Sequence, residues 1–149
     1  MKLSNYINEK LIISNLSART KVDVLAEMVK YVEKLYPSLQ DKNVYELLVD
    51  REKLGTTGIG NGVAIPHTKL EGIDRVILLV ARSIEGVDFE SLDQNPVHIF
   101  FLLLAPEENL GEHLRILAYI SRLLQDESFR KAFLEAQDKG ELYMLLKGV

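Results

Sequence analysis

The sequence predicts an α/β layered domain, with one mixed sheet of four or five strands covered by helices. Helix-period segments occupy both ends of the chain. Between them lie two nearly continuous apolar runs, Val76–Ala81 and Val97–Ala105, the pattern of strands buried on both faces. The joins from Ile65 to Val76 and from Ala81 to Val97 are too short for the usual helical crossover, so the sheet must be mixed. A length of 149 residues suits one domain, 1–149, with a core large enough to need no covalent staples.

Each element follows from local chemistry. Leu11–Ile13 reads as an edge strand or a docked arm. Thr20 offers an N-cap hydroxyl with Asp23 three residues on, and Val22, Leu25, Ala26, Val29 and Val32 follow at helical spacing. Pro37 ends that helix. Asn43 is expected to cap a second helix, with Val44, Leu47 and Leu48 as its apolar face and Gly55 as its stop. Gly55-Thr-Thr-Gly-Ile-Gly-Asn-Gly-Val-Ala-Ile-Pro-His-Thr-Lys places four glycines within eight residues. Each would cost a helix roughly 1 kcal/mol relative to Ala. The stretch is therefore expected to be loop, with a short strand at Val63–Ile65 ended by Pro66. Asp93-Gln-Asn-Pro reads as a turn. From Glu112 the period is helical, with Leu114, Leu117, Ala118 and Ser121 assigned to one face and Leu124 beyond. Asp126 or Ser128 caps a further helix through Ala136, carrying Phe129, Ala132 and Phe133. A last short helix holds Leu142, Tyr143, Leu145 and Leu146.

Composition removes several function classes. Cysteine is absent, which excludes disulfides, thiol catalysis and thiolate metal sites. A net charge of -4 argues against nucleic acid as a partner, because such proteins concentrate positive charge. The first residues lack a signal-peptide pattern, and no apolar run reaches the roughly 20 residues of a membrane span. A cytoplasmic protein is expected.

Three histidines remain as candidates for chemistry. His98 shares a strand face with Phe100, Leu102 and Leu104, company that suits a satisfied structural histidine. His113 opens a helix, where the N-terminus favours a neutral ring or a bound anion; structural and functional roles are both open for it. His67 follows the rigid Pro66 at the end of the glycine-rich stretch. Glycines allow backbone N–H groups to approach an anion closely, and an imidazole beside such a nest suits phosphate chemistry. A purely structural turn has the same local look. Other templates fail: there is no GxGxxG, Walker, HExxH or GxSxG pattern, and the histidines are too scattered for a zinc site.

The segment from Gly58 to His67, Gly-Ile-Gly-Asn-Gly-Val-Ala-Ile-Pro-His, resembles the IIA component of the bacterial phosphoenolpyruvate:sugar phosphotransferase system (PTS), in its fructose/mannitol branch. That branch, the EIIA type-2 domains, includes the nitrogen-regulatory IIA proteins. Leu48-Val-Asp-Arg-Glu-Lys before the loop is similar to that family as well. So are Pro96-Val-His-Ile-Phe-Phe-Leu-Leu-Leu-Ala-Pro106 and Glu112-His-Leu-x-x-Leu-Ala-x-Ile-Ser-Arg-Leu-Leu. The resemblance spans roughly residues 5 to 146. It implies a phosphotransferase with a phosphohistidine intermediate. An HPr-type phosphocarrier would donate the group to Nε2 of His67, which would pass it to a IIB domain or hold it as a regulatory mark. Contact with a membrane permease would run only through IIB.

The resemblance also implies that Arg51 and His113 assist, with no cofactor and no metal. Gly60, Asn61 and Gly62 are expected to offer N–H groups to the phosphate. Ile59, Val63 and Leu70 are candidates for an apolar docking rim, with Val63 the better fit to the core. Lys53, Lys69 and Arg75 lie near the loop in sequence, and Glu71 and Asp74 offset them. Transport relay and regulatory switch are both compatible with the same chemistry. A hydrolase using His67 as general base lacks a second catalytic carboxylate.

Overall fold

The computed structural model describes residues 1–149. Strands β1 (Ile12–Ile13), β2 (Gly58–Gly60), β3 (Val63–Ala64), β4 (His67–Leu70), β5 (Ile77–Val87) and β6 (Val97–Pro106) form one sheet. Its order is β1-β5-β6-β3-β2, with β4 also on β6. Helices α1 (Lys21–Leu35) and α2 (Val44–Lys53) pack on one face. Helices α3 (Leu110–Leu123), α4 (Glu127–Glu135) and α5 (Lys139–Lys147) pack on the other. The helix-covered mixed sheet matches the expectation. β5 and β6 are antiparallel, while β1–β5, β3–β6 and β4–β6 are parallel.

The sheet has six strands, not four or five, because the glycine-rich stretch is not all loop. β2 and β3 form an antiparallel hairpin. At its tip Asn61 and Gly62 have φ of 58° and 75°, the consecutive positive values that a two-residue type I′ turn demands and that Asn-Gly supplies best. After Ile65–Pro66 the chain resumes as β4, so β3 and β4 are two pieces of one edge running parallel to β6. Proline, without an N–H, fits such an edge break.

The continuous apolar runs reflect burial on both faces. On β6, Phe100, Leu102 and Leu104 join Val24, Leu25, Met28 and Leu48 under α1 and α2. Ile99, Phe101 and Leu103 join Ile116, Ile120, Phe133 and Leu146 on the opposite side. Thr20 caps α1 by accepting from the Asp23 N–H, and Asp126 caps α4.

Asn43 differs from expectation: it precedes α2 in a left-handed conformation, and its side chain caps nothing. Leu47 is partly exposed, and the buried stripe of α2 is Val44, Leu48 and Glu52. On α3 the buried face is His113, Ile116 and Ile120, continued by Leu124, while Leu114 is 56% exposed and Ala118 is exposed. That helix carries apolar residues round more than half its circumference, so its period alone does not choose the face; packing against β6 does. Ala132 on α4 is likewise exposed.

Phe101 is fully buried against Phe133, ring centroids 6.3 Å apart. Phe101→Ala should lower the unfolding free energy by about 3–5 kcal/mol, measured by urea denaturation.

Candidate functional site

His67 is the first residue of β4 and pairs with Leu103 of β6. In a parallel pair, partners point to the same face, and Leu103 faces the α3 side. His67 is therefore directed toward α3 at an open sheet edge. The Leu103 N–H donates to the Pro66 carbonyl (3.0 Å), which ties down the residue just before it.

The imidazole is half-buried, and its Nδ1 lies 2.8 Å from the Ile65 carbonyl oxygen. A carbonyl can only accept, so Nδ1 carries the proton and donates it. In the neutral ring this leaves the lone pair on Nε2. Burial is the main influence on the His67 pKa and pushes it below the ordinary histidine value. The Ile65 bond opposes this, Arg51 adds to it, and Glu52 opposes it. The ring is thus neutral at pH 7 and nucleophilic at one defined atom.

His113 stands in the first turn of α3 with its ring centroid 5.6 Å from that of His67 and the planes at 75°. It is 4% exposed, and neither ring nitrogen has a protein partner. An unpaired buried polar group costs about 1–3 kcal/mol. Such an orphan beside a free nucleophile marks a place where an incoming group completes the hydrogen bonding. Burial first, then His67 and Lys69, lower its pKa too. The helix is anchored there by Asn109, which accepts from the Glu112 N–H, and by Tyr6, whose hydroxyl donates to Glu112 Oε2 at 2.8 Å.

Arg51 sits in the last turn of α2, and its Nη1 donates to the Gly55 carbonyl at 2.9 Å. Its charge acts directly on the His67 pKa. β4 and α3 therefore set His67 and His113 side by side, and α2 holds Arg51 within electrostatic reach of the His67 ring.

Gly60, Asn61 and Gly62 are not part of this cluster. Val63 pairs with Ile99 and His67 with Leu103, four residues apart on β6, or about 13 Å at 3.3 Å per residue. The hairpin tip lies beyond Val63. The Asn61 N–H is taken by the Asp93 carboxylate at 3.2 Å, whose negative charge would repel a phosphate. The Gly62 carbonyl accepts from the His98 and Ile99 N–H groups. The structure thus does not bring Gly60, Asn61 and Gly62 to the His67 ring; they form the hairpin tip. His98 is a satisfied structural histidine, its Nδ1 2.8 Å from the Ser83 carbonyl.

Over residues 5–149 the sequence matches the family described as Phosphoenolpyruvate-dependent sugar phosphotransferase system, EIIA 2. The chain belongs to that family. It is 38% identical over 146 residues to a nitrogen regulatory protein of Bradyrhizobium diazoefficiens, covering 98% of this chain and 95% of that one. It is 37% identical over 140 residues to the PTS system fructose-specific EIIABC component of Bacillus subtilis, covering 93% of this chain and 22% of that protein. Among solved structures, nitrogen regulatory protein IIA-Ntr from Neisseria meningitidis superposes with a TM-score of 0.89 at 31% identity, over 97% of this chain and 98% of that one. The Escherichia coli complex of enzyme IIAMTL and phosphorylated enzyme IIBMTL superposes with a TM-score of 0.77 at 19% identity, over 96% and 98%; this shows a shared fold.

In this EIIA chain His67 is half-buried at the open edge of the sheet. Leu54 beside Arg51 is 85% exposed, and Leu110 and Leu114 flanking His113 are 49% and 56% exposed. Of the expected rim, Ile59 is exposed but Val63 and Leu70 are core residues at 1%. No three His, Asp or Glu side chains come together in a metal-holding group, and no helix is long and apolar enough to cross a membrane.

Sequence reasoning missed Glu52, Thr57 and Lys21. Glu52 accepts from the backbone N–H of Thr57 at 3.0 Å and from its hydroxyl, and pairs with Lys21 Nζ at 2.9 Å. A signal existed: Val44, Leu48 and Glu52 fall at i, i+4 and i+8, which puts a carboxylate on a buried stripe.

Two outcomes follow from this geometry. Gly62→Ala should destabilise the fold by about 1–2 kcal/mol, the cost of a side chain in the left-handed region, and leave the NMR shifts of the His67 ring unchanged. Because burial lowers the His67 and His113 pKa values in the folded state, the unfolded chain binds their protons more readily. Their contribution to stability should be complete above pH ~6.5 and lost as pH falls through the lower folded values. Histidine-resolved NMR titration with parallel urea melts reads both.

Proposed function

We propose that this EIIA protein is a phosphoryl carrier that accepts phosphate from an HPr-type phosphocarrier on His67 Nε2 and passes it to a IIB domain. The hydrogen bond from Nδ1 to the Ile65 carbonyl carries the reading, because it leaves Nε2 as the one nucleophilic atom. In the transfer the Nε2 lone pair forms the new N–P bond as the donor's N–P bond breaks and its electron pair returns to the donor ring. The Nδ1 proton stays where it is. The moving group is metaphosphate-like, so the protein's work is alignment and charge stabilisation. The Arg51 guanidinium suits the phosphoryl oxygens as a charge-assisted donor. An N–H of His113, which has no partner in the protein, supplies a second donor. An apolar-rimmed site at an open sheet edge favours protein partners over a small substrate, and the mannitol IIA relative solved with phosphorylated IIB names the class of acceptor.

A second reading is a regulatory protein whose phosphorylation state at His67 selects its binding partners. It is favoured by the names of similar proteins: nitrogen regulatory proteins are 38% and 37% identical to this chain over 98% and 91% of its length. The two readings share the chemistry and differ in where the phosphoryl group goes.

Phosphoenolpyruvate labelled in its phosphate, with purified carriers of both PTS branches, tests the proposal. Wild type should take up an acid-labile, base-stable label, and His67→Ala should take up none; label surviving in that variant would sink the assignment. Arg51→Ala should accept about 10- to 100-fold more slowly, the loss of a charge-assisted contact of roughly 1.5–3 kcal/mol. His113→Ala should still accept label, more slowly. Acceptance by wild type should stay flat down to pH ~6.5 and fall only further below, as pH drops through the lowered value of the buried His67 ring, since only the neutral ring attacks. Onward transfer to a sugar IIB domain supports the relay. A phosphoprotein that no IIB discharges, and that binds a kinase or channel only when unphosphorylated, supports the switch.

A further inference from the structure

Beneath the site runs a chain of buried polar contacts that ends on the far ring nitrogen of His67. Lys21, the first residue of α1, reaches across to α2 and places Nζ 2.9 Å from Glu52 Oε1. Both side chains are buried, 11% and 5% exposed. Lys21 Nζ also donates to Thr56 Oγ1 at 3.2 Å and lies 4.8 Å over the Phe89 ring. Glu52 Oε1 also accepts the Thr57 N–H, and Oε2 accepts the Thr57 hydroxyl. Thr57 in turn accepts, through its carbonyl, the Ile65 N–H at 3.1 Å. The Ile65 carbonyl takes the His67 Nδ1 proton at 2.8 Å. The series joins the start of α1 to the stretch from Glu52 to His67.

We propose that Glu52 is a positioning residue for His67, acting through Thr57 and Ile65, with Lys21 as its ion-pair partner. This rests on the reading of His67 as a phosphoryl acceptor. The reasoning is geometric. The Ile65 carbonyl can select the Nε2 lone pair only if it stays in line with Nδ1. Ile65 lies in the two-residue break between β3 and β4, outside the ladder to β6. Its N–H is therefore held by Thr57 alone, and Thr57 itself lies between α2 and β2, where Glu52 is the group that fixes it. A carboxylate receiving three donors locks that segment more firmly than a neutral acceptor would. Its burial is tolerable because Lys21 is paired with it and both carboxylate oxygens accept hydrogen bonds. The same negative charge offsets part of the Arg51 influence on the imidazole. Arg51 and Glu52 are consecutive, and the helix sends one toward the open edge and the other inward.

The experiment reads the ring itself and then its chemistry. Nitrogen-15 NMR of histidine-labelled full-length protein at pH 8, with no carrier present, gives the His67 tautomer. Wild type should show the Nδ1–H form. Glu52→Gln, which keeps shape and loses charge, and Thr57→Val, which loses the hydroxyl alone, should each populate the Nε2–H form. Acceptance of label should slow by roughly 2- to 10-fold, the range of one neutral hydrogen bond. Thr57→Ser should restore both readings. Folded Glu52→Gln and Thr57→Val proteins with a wild-type tautomer and wild-type acceptance overturn the proposal. A Thr57→Val protein that fails to fold, or a Thr57→Ser protein no better than Thr57→Val, also overturns it, since either points to packing alone. A wild-type protein that accepts no label from any carrier refutes the phosphoryl reading and leaves the tautomer result to decide the positioning role.

Discussion

The hydrogen bond from His67 Nδ1 to the Ile65 carbonyl is the contact on which the site depends. A histidine has two equivalent-looking nitrogens, and a relay needs one. A carbonyl within 2.8 Å of Nδ1 breaks that symmetry with no charge and no second side chain. It works because the backbone between Ile65 and His67 is rigid. Pro66 fixes its own φ, and its carbonyl is pinned by the Leu103 N–H. The two-residue spacing between donor ring and acceptor carbonyl makes the device local, so the sequence Ile-Pro-His contains it whole. What lies outside that tripeptide is the support for Ile65, and here the fold supplies the Glu52–Thr57 contacts.

The division of labour among the glycines follows from the same economy of space. Nests of N–H groups and tight hairpins both call for positive φ, so a glycine-rich segment before a histidine is compatible with either. Asn61 and Gly62 are used for the hairpin, and Asp93 takes the Asn61 N–H. The glycines therefore shape the hairpin, and the break between β3 and β4 falls after it, at Ile65–Pro66. The positive side of the site comes from Arg51 and the first turn of α3, from both faces of the sheet.

Much of the architecture was legible in the chain. The runs Val76–Ala81 and Val97–Ala105 are apolar throughout because β5 and β6 are covered on both faces, and Thr20, Pro37 and Asp126 act by local rules that tertiary packing did not override. The glycine stretch was read as loop because helix cost was weighed and hairpin chemistry was not; Asn61-Gly62 was the available cue. The face of α3 was misjudged because two apolar stripes overlap there and only the sheet chooses between them. In the site, His67 stood out by its rigid setting, whereas the placing of His113 beside it and of Arg51 within electrostatic reach needs three elements to converge, which no local pattern reveals apart from the resemblance to a family. Val44, Leu48 and Glu52 form one stripe, but Glu52 is one of three carboxylates in a ten-residue helix and resembles ordinary surface charge until its neighbours are known to be buried.

The burial of the two rings has a consequence for how partners succeed one another. An imidazole that is to attack must be neutral, and partial burial achieves this for His67 with Arg51 assisting. The same burial leaves His113 without a partner on either nitrogen, a state that costs free energy and that a phosphoryl oxygen would relieve on the proposed carrier reading. On that reading the group is held by the few contacts that His113 and Arg51 offer, so water must be kept away while it moves. Leu54, Leu110 and Leu114 present exposed apolar surface on which a docked protein would do this, and a donor and an acceptor that used the same surface would have to bind in turn.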